Sequence, residues 1–434
     1  MSWKHAILFS LPFVAAFSQS VSRTTVGNKS TGTGEVTLEL IARKQAFNSK
    51  PTNGADAFES AINSPKSVVF AADGKKFYVH SLEGHKTAVF ETGTWKKLKE
   101  IKHEFNQGNN ALFLNNETTV FDYPYYTDVK DKNTFEGKPV ESCLSHNGKY
   151  LWVTYYRRSY DKNAQCPSAV AIIDTEKDEI VRVMPTGPLP KMIACSPQNE
   201  FIAVTHWGDN TVGIIDVRSE NPMEFKYIKH CIVDSKLNLD FTTAGKIDRD
   251  SECGHCLRGT TFTPDGQFLL VGKMGGSGGI AFFDTRDFSP LGTVLGMQTN
   301  LRHLVISGEH LYLSANAPGY VQRTSWRELT KFRLENSGQP ISYAKWESVQ
   351  VGTGARTISL SPNGKYVFAA VNNQSKVVGV STATMQKVVE ISADSYPVGM
   401  AASPDGKYLI VTAQGKNNGG GNSVMIFGVK YKEE

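Results

Sequence analysis

The stretch SPDGKYLIVTAQG from Ser403 to Gly415 restates SPNGKYVFAAVNN from Ser361 to Asn373, and the same phrase occurs seven times along the chain. Its copies begin at Ser64, Pro139, Pro190, Leu257, Leu301, Ala355 and Pro397. Each holds a short alternating run, a turn of the Pro-Asp-Gly or His-Asn-Gly kind, and a second alternating run. Alternation with period two marks a strand with one face in a core, and glycine supplies the positive φ that such a turn needs. Most copies continue into a third strand, as in SAVAIIDT at Ser168, NTVGIIDV at Asn210, GGIAFFDT at Gly278 and SKVVGVST at Ser375, and several into a more polar fourth, as in MQKVVEIS at Met385. Four antiparallel strands recurring every 40 to 50 residues or so are the signature of a propeller blade, which cannot bury both its faces alone.

The expected fold is therefore all-β, a seven-bladed β-propeller of four-stranded antiparallel blades forming one domain over residues 36–434. Intervals between the aligned positions Lys66, Val140, Lys191, Arg258, Arg302, Arg356 and Val398 are 74, 51, 67, 44, 54 and 42 residues. One long interval carries the polar insertion HCIVDSKLNLDFTTAGKIDRDSECGHC, which suits an elaborate loop. The other carries NALFLNNETTVFDYPYY, which matches a strand-turn-strand pattern and leaves eight blades as an alternative. The last copy has three clear strands before Tyr431, so VTLELIAR at residues 36–43 is expected to supply its fourth and close the ring, removing free sheet edges.

Ahead of the repeats, Lys4 and His5 precede the apolar run AILFSLPFVAAF and then Ala16-Phe17-Ser18, the pattern of a cleaved export signal. Residues 1–18 are expected to be that signal, residues 19–35 a flexible segment, and the protein extracytoplasmic, in the periplasm, on the outer surface or in the medium. No later apolar run of about 18 residues is present to span a membrane. A formal net charge of +5 is too small to point to nucleic acid.

The phrases SPDGKYLIVT and NTVGIID resemble the YVTN-type repeats of secreted bacterial and archaeal propellers, the group of YncE-like and lactonase-like seven-bladed proteins. The resemblance spans roughly Ser64 to Val429. It departs at the closing asparagine, where this chain has Ser81, Tyr155, His206, Lys273, Ala315, Val371 and Ala413. It implies the fold and a bacterial source, and it keeps lactone hydrolysis open; it assigns no residue a role, since function sits on sites grafted onto folds.

In a propeller the first strand of each blade lines the channel, and its start shares a face with the end of the second. Five of the seven first-strand starts are basic: Lys66, Lys191, Arg258, Arg302 and Arg356. The remaining two are Val140, followed by Glu141, and Val398. Like charges at one register repel unless an anion or acids such as Glu141 and Asp394 offset them. The second-strand ends add Tyr155, Tyr156, Arg157 and Arg158; His206, Trp207, Asp209 and Asn210; Lys273 and Met274; and Asn316, Asn372, Asn373 and Gln414. Rings that stack on sugar faces and guanidinium forks that pair with carboxylate or phosphate suit an acidic or polyhydroxylated ligand. The leading expectation is a binding or scaffold protein for an anionic glycan, peptide or protein partner, without a cofactor, through Lys66, Glu141, Arg157, Arg158, Lys191, His206, Trp207, Arg258, Arg302, His303 and Arg356. The alternative is a lactonase-like hydrolase or a lyase on the same face, with His206 or His303 and Glu141 or Asp209 as proton carriers and the arginines stabilising an oxyanion.

Six cysteines occur, at positions 143, 166, 195, 231, 253 and 256. Cys253-Gly-His-Cys256 has the spelling of a redox dithiol, but it ends a loop and runs into a strand rather than opening a helix. A local disulfide bracing the loop is the first reading. Metal ligation by Cys253, His255 and Cys256 with His230 or Cys231 is a second, and redox chemistry a third. Cys143 and Cys195 fall inside first strands and suit buried small apolar positions.

Overall fold

A computed structural model describes residues 22–240, 247–336, 338–415 and 421–432, and these form seven antiparallel sheets set around one channel. The expected leader, residues 1–18, lies outside the described residues. Blades 1 to 7 open with the strands Pro65–Phe70, Phe135–Ser145, Pro190–Cys195, Leu257–Phe262, Leu301–Ser307, Ala355–Leu360 and Pro397–Ala402. Each of these inner strands packs against the next, and the seventh packs against the first, so the ring is closed.

The repeated phrase has a local cause. Its serine or threonine reaches across the hairpin: the Ser361 hydroxyl accepts from the Tyr366 amide at 3.0 Å, Ser403 from Tyr408 at 2.9 Å, Thr263 from Phe268 at 3.0 Å and Ser196 from Phe201 at 3.0 Å. Three of these hydroxyls also donate to the Asx residue two positions on, Ser361 to Asn363 at 2.7 Å, Thr263 to Asp265 at 2.6 Å and Ser403 to Asp405 at 2.6 Å. Glycine at the fourth position sits at φ 70° in Gly364 and 73° in Gly406, where a Cβ is disfavoured. The threonine that ends several third strands clips the turn from the far side, Thr285 donating to the Gly266 carbonyl at 2.6 Å and Thr382 to Gly364 at 2.7 Å. Alternating Val, Ile, Leu and Phe of successive blades then interleave, as where Val36, Leu38 and Leu40 meet Phe368, Val411 and Phe427.

Closure follows the expected route: Val36–Gln45 pairs antiparallel with Ser423–Tyr431 as the outer strand of blade 7. Within the segment expected to be flexible, residues 22–35 lie against blade 6. Thr31–Gly32 adds a short strand to Lys387–Ser392, the Thr24 amide donates to Asp394 at 2.8 Å, and Gly32 at φ 149° admits the Val388 carbonyl where a Cβ would stand 2.0 Å away. The candidate eighth blade is not one. Gln107–Leu112 forms a 3-10 turn, and no strand lies between Phe105 and Phe135 among the described residues. Its aromatic residues are engaged elsewhere, Phe121 edge-on to His230 of blade 3 at 4.8 Å and Tyr123 bonded to Asp209 at 2.8 Å.

Candidate ligand site

The first strand of every blade carries an irregularity at the same place. In blade 3 Pro190 faces His206 and Met192 faces Thr205, leaving Lys191 as an extra residue; Arg302 and Val398 are extra in the same way in blades 5 and 7. In blades 1, 2, 4 and 6 the two residues Lys66-Ser67, Val140-Glu141, Arg258-Gly259 and Arg356-Thr357 stand opposite one. A bulge turns its residue out of the ladder and re-aims the side chain. The bulge carbonyls are held by hydroxyls of adjoining blades, Ser67 donating to Val140 at 2.7 Å, Thr357 to Val398 at 2.6 Å and Thr412 to Lys66 at 2.5 Å.

All five basic residues of the register line one cavity of about 450 Å³ at the channel mouth, together with Glu83, Tyr156, Arg157, Asp250, Tyr396 and Gln414. Its charge is lopsided. On the side of blades 2 to 4, Arg258 pairs with Glu141 at 3.0 Å and Lys191 with Asp250 at 2.5 Å, while the Trp207 ring lies 3.7 Å from the Lys191 ammonium. Tyr156 donates to the second oxygen of Asp250. On the side of blades 5, 6 and 1, Lys66 donates to the neutral Gln414 amide at 3.0 Å and Arg302 to the Met274 sulfur at 3.0 Å, and neither has an ion pair among the described residues. Arg356, 5% exposed, has the Tyr396 ring at 5.8 Å and no acidic partner among the described residues.

Burial and crowding of like charge act on these groups together. Burial, then Arg356, Arg258, Arg302 and Lys191, push the Lys66 ammonium well below its usual range. Burial brings Lys191 down to about 7 against the pull of Asp250, and Arg258 down to about 10 against Glu141. Arg302 is lowered by burial and then by Arg356 and Arg258. Guanidinium groups hold their protons under physiological conditions, so the repulsion falls on the two amines or is relieved by a bound anion.

Several expected site residues lie elsewhere. His206 is fully buried in blade 3, its Nδ1 at 2.8 Å from the Thr211 hydroxyl and its Nε2 accepting from the Gly187 amide at 3.1 Å. Asp209 is sealed beside it, accepting from Thr211 at 2.7 Å and from Tyr123 at 2.8 Å. Arg158 turns inward, donating to the Ser168 carbonyl at 2.9 Å and stacking on Phe135 at 4.6 Å, whereas Arg157 stays at the cavity. Trp207 forms the wall beneath Lys191 and donates to the Asp250 carbonyl at 3.0 Å. His303 stands one residue beyond Arg302, accepting from the Ile358 amide at 3.3 Å, and burial lowers it to about 4, which makes it neutral. Asp394 does not offset the ring; it pairs with Arg43 at 3.1 Å where the N-terminal strand closes blade 7. Lys273 pairs with Asp234 at 2.6 Å, and Asn316 donates to the Ala355 carbonyl at 3.0 Å. Sequence reasoning missed Asp250 and Tyr396, because neither belongs to the aligned positions. Asp250 comes from the insertion, where only its place near the next first strand hinted at the channel.

Cys253 and Cys256 are joined by a disulfide, so both thiols of the metal reading are committed to each other. Among the described residues, no group of three or more His, Cys, Asp or Glu side chains is placed to hold a metal ion. His230 belongs to the Tyr123 network and Cys231 is buried in the core between blades 3 and 4. Cys143 and Cys195 are half-buried free thiols on neighbouring inner strands.

A ring of seven blades with this hairpin grammar agrees with the comparison of the sequence with family models, where that for the lactonase, 7-bladed beta-propeller, matches residues 168–429. The chain belongs to the seven-bladed lactonase propeller family. No curated protein matches it. Among solved structures, this lactonase-family chain is similar to one from Kuenenia stuttgartiensis hydrazine synthase, with 12% identity, 88% of this chain and 99% of that one covered, and a TM-score of 0.57. The Cps50 (Swd1) β-propeller domain of Myceliophteria thermophila is 12% identical over 85% and 97%, with a TM-score of 0.58. A chain of the mitotic checkpoint complex is 13% identical over 100% and 98%, with a TM-score of 0.56. At such identities the likeness is one of fold.

Proposed function

We propose that this propeller binds a compact acidic ligand, or the acidic end of a larger glycan or peptide, in the cavity at the channel mouth. The observation that supports it most is the row Lys66, Arg302 and Arg356, three buried or half-buried basic groups with no ion pair among the described residues, Glu83 of the same cavity being paired with Lys138 at 2.6 Å. A ligand group with two or more negative charges would sit there and relieve their repulsion. Its polar body would extend towards Tyr156 and the neutralised pairs on the opposite wall. With the leader expected over residues 1–18, the ligand would be met outside the cytoplasm.

Melting temperatures with citrate, galacturonate and phosphate, at low and physiological salt, test this reading. A ligand at 100 times its dissociation constant stabilises by about 2.7 kcal/mol. The expected shift shrinks as salt rises and is lost in Arg356→Ala. If no anion moves the melt of the unaltered protein, the reading fails.

Lactone hydrolysis is a second reading, favoured by the family and by one group. With His206 and Asp209 sealed away, the Lys191 amine, brought down to about 7, is the cavity group suited to take a proton from water near neutral pH. Arg258 and Arg356 would face the developing oxyanion. Turnover of a carboxylated lactone, abolished in Lys191→Met with binding of the hydroxy-acid product retained, would favour this reading over binding alone.

A further inference from the structure

The Cys253–Cys256 bridge stands where a structural brace has little to do. It spans a separation of three residues, so it removes little chain entropy. The turn is already closed by the Cys256 amide donating to the Cys253 carbonyl at 2.9 Å, and the loop before it by Glu252 donating to Asp248 at 2.9 Å. The two sulfurs differ in access, since Cys253 is 4% exposed and Cys256 is half-buried. Cys256 is also held at φ 49°, a left-handed conformation unfavourable for a residue with a Cβ. Charged groups of both signs surround the turn. His255 contacts Asp234 at 3.1 Å, and Lys273, on the same carboxylate, lies across the ladder from Leu257, with Arg258 next in the chain.

The bridge is tied to the cavity in two ways. Asp250, which holds Lys191 and Tyr156, lies three residues before Cys253 on the same loop. Both cysteines also pack in a small apolar cluster with Trp207, Tyr156 and Met274, the residues that back Lys191 and Arg302.

We propose that Cys253–Cys256 is a thiol-exchange site whose reduction frees the Asp250 loop and raises the anion affinity of the cavity. An external thiolate attacks the accessible Cys256 sulfur, forming a mixed disulfide, while the electron pair of the broken bond passes to Cys253, which takes a proton. A second external thiol attacks the mixed disulfide and is released with the first as their disulfide, leaving Cys256 reduced. Two thiols are oxidised and one protein disulfide becomes two thiols. Once the loop opens, the cavity loses the Asp250 carboxylate that now faces Lys191, and the potential an anion meets on that wall becomes more positive.

The test titrates citrate into the folded protein by calorimetry before and after dithiothreitol, counting accessible thiols and following hydrogen exchange over residues 247–256. Reduction under native conditions is expected to expose two further thiols, speed exchange in that segment and tighten citrate about five- to tenfold, within the usual range of coupling between sites. Asp250→Asn should tighten citrate similarly with the bridge intact. Cys253→Ser with Cys256→Ser should show the reduced-state affinity and ignore dithiothreitol. A bridge that resists dithiothreitol until the protein unfolds overturns the proposal, and so does a reduced bridge with unchanged exchange or unchanged citrate affinity. The affinity arm rests on the anion reading of the cavity. Should citrate bind neither form, that reading fails, and thiol count and exchange still decide whether the bridge is exchangeable.

Discussion

Lys191 and His206 stand at the same end of blade 3, one beside the other's ladder partner, yet they belong to opposite kinds of polar cluster. His206 pairs across the ladder with Pro190 and shares its face of the sheet, where Thr211, Asp209, Tyr123 and His230 complete a closed network. Lys191 is the bulged residue next to Pro190 and is turned onto the channel cavity. In the closed network nearly every donor has its acceptor, and the groups hold the fold. In the cavity Lys66, Arg302 and Arg356 have no acidic partner among the described residues, and the groups are left for something else. One residue of register separates a structural cluster from a candidate site.

The sharpest way to break this comparison is to remove one member of each cluster. Asp209→Ala leaves the Tyr123 and Thr211 donors buried without their acceptor, and urea unfolding is expected to show a loss of about 3 kcal/mol. Citrate affinity of the folded fraction should not move. Arg356→Ala should do the reverse, weakening citrate by tenfold or more while the melting temperature stays level or rises, because a buried like charge has gone. An Asp209→Ala protein that folds normally and loses citrate would place Asp209 in the site.

Acid should separate the clusters by a smaller margin. Burial holds His230 of the closed network, and His80, which meets the Thr87 hydroxyl at 2.9 Å inside blade 1, at about 3, below the ordinary 6.5 of the unfolded chain. Because the folded values are depressed, each contributes stability that is full above pH 6.5 and lost as pH falls towards 3. At pH 5 the loss is about 2 kcal/mol per histidine. Urea unfolding of His230→Gln should recover part of that loss at pH 5 and little at pH 8; an equal effect at both would mean that the ring is not held neutral.

The fold was legible because several blades repeat the same local chemistry: the Ser or Thr, the Asx and the left-handed glycine of blades 2, 4, 6 and 7, and the closing threonine of blades 2, 4 and 6, are visible as letters. So was the ring of basic positions, since the bulge occurs at the same register in all blades. Which neighbours join them was not. Whether His206 or Lys191 faces the channel depends on a bulge that shifts pairing by one, and alternation alone does not display it. Asp250 comes from an insertion of no repeat, and Asp394 looked like a partner of the ring only because the strand pairing with Arg43 was not in view.

Within the cavity, the smallest expected effect tests whether Lys191 is a cavity group at all. Burial first lowers its amine, Asp250 pulls it back up and Arg258 and Arg302 push it down, to about 7, with Lys66 across the same cavity. Without ligand this depressed value means stability that is full above the ordinary 10.5 and lost as pH falls towards 7. Anion binding has the opposite slope, because each proton taken up adds positive charge to the site. Sulfate keeps its charge between pH 8.5 and 6, so its affinity should rise a few-fold as pH falls through about 7, and the rise should be smaller in high salt. In Lys191→Met the step near 7 should vanish, leaving only the part that Lys66 supplies. A step of unchanged size in that variant would assign the titration to Lys66 and put Lys191 with the wall, locked to Asp250 and Trp207 as firmly as His206 is locked to Thr211.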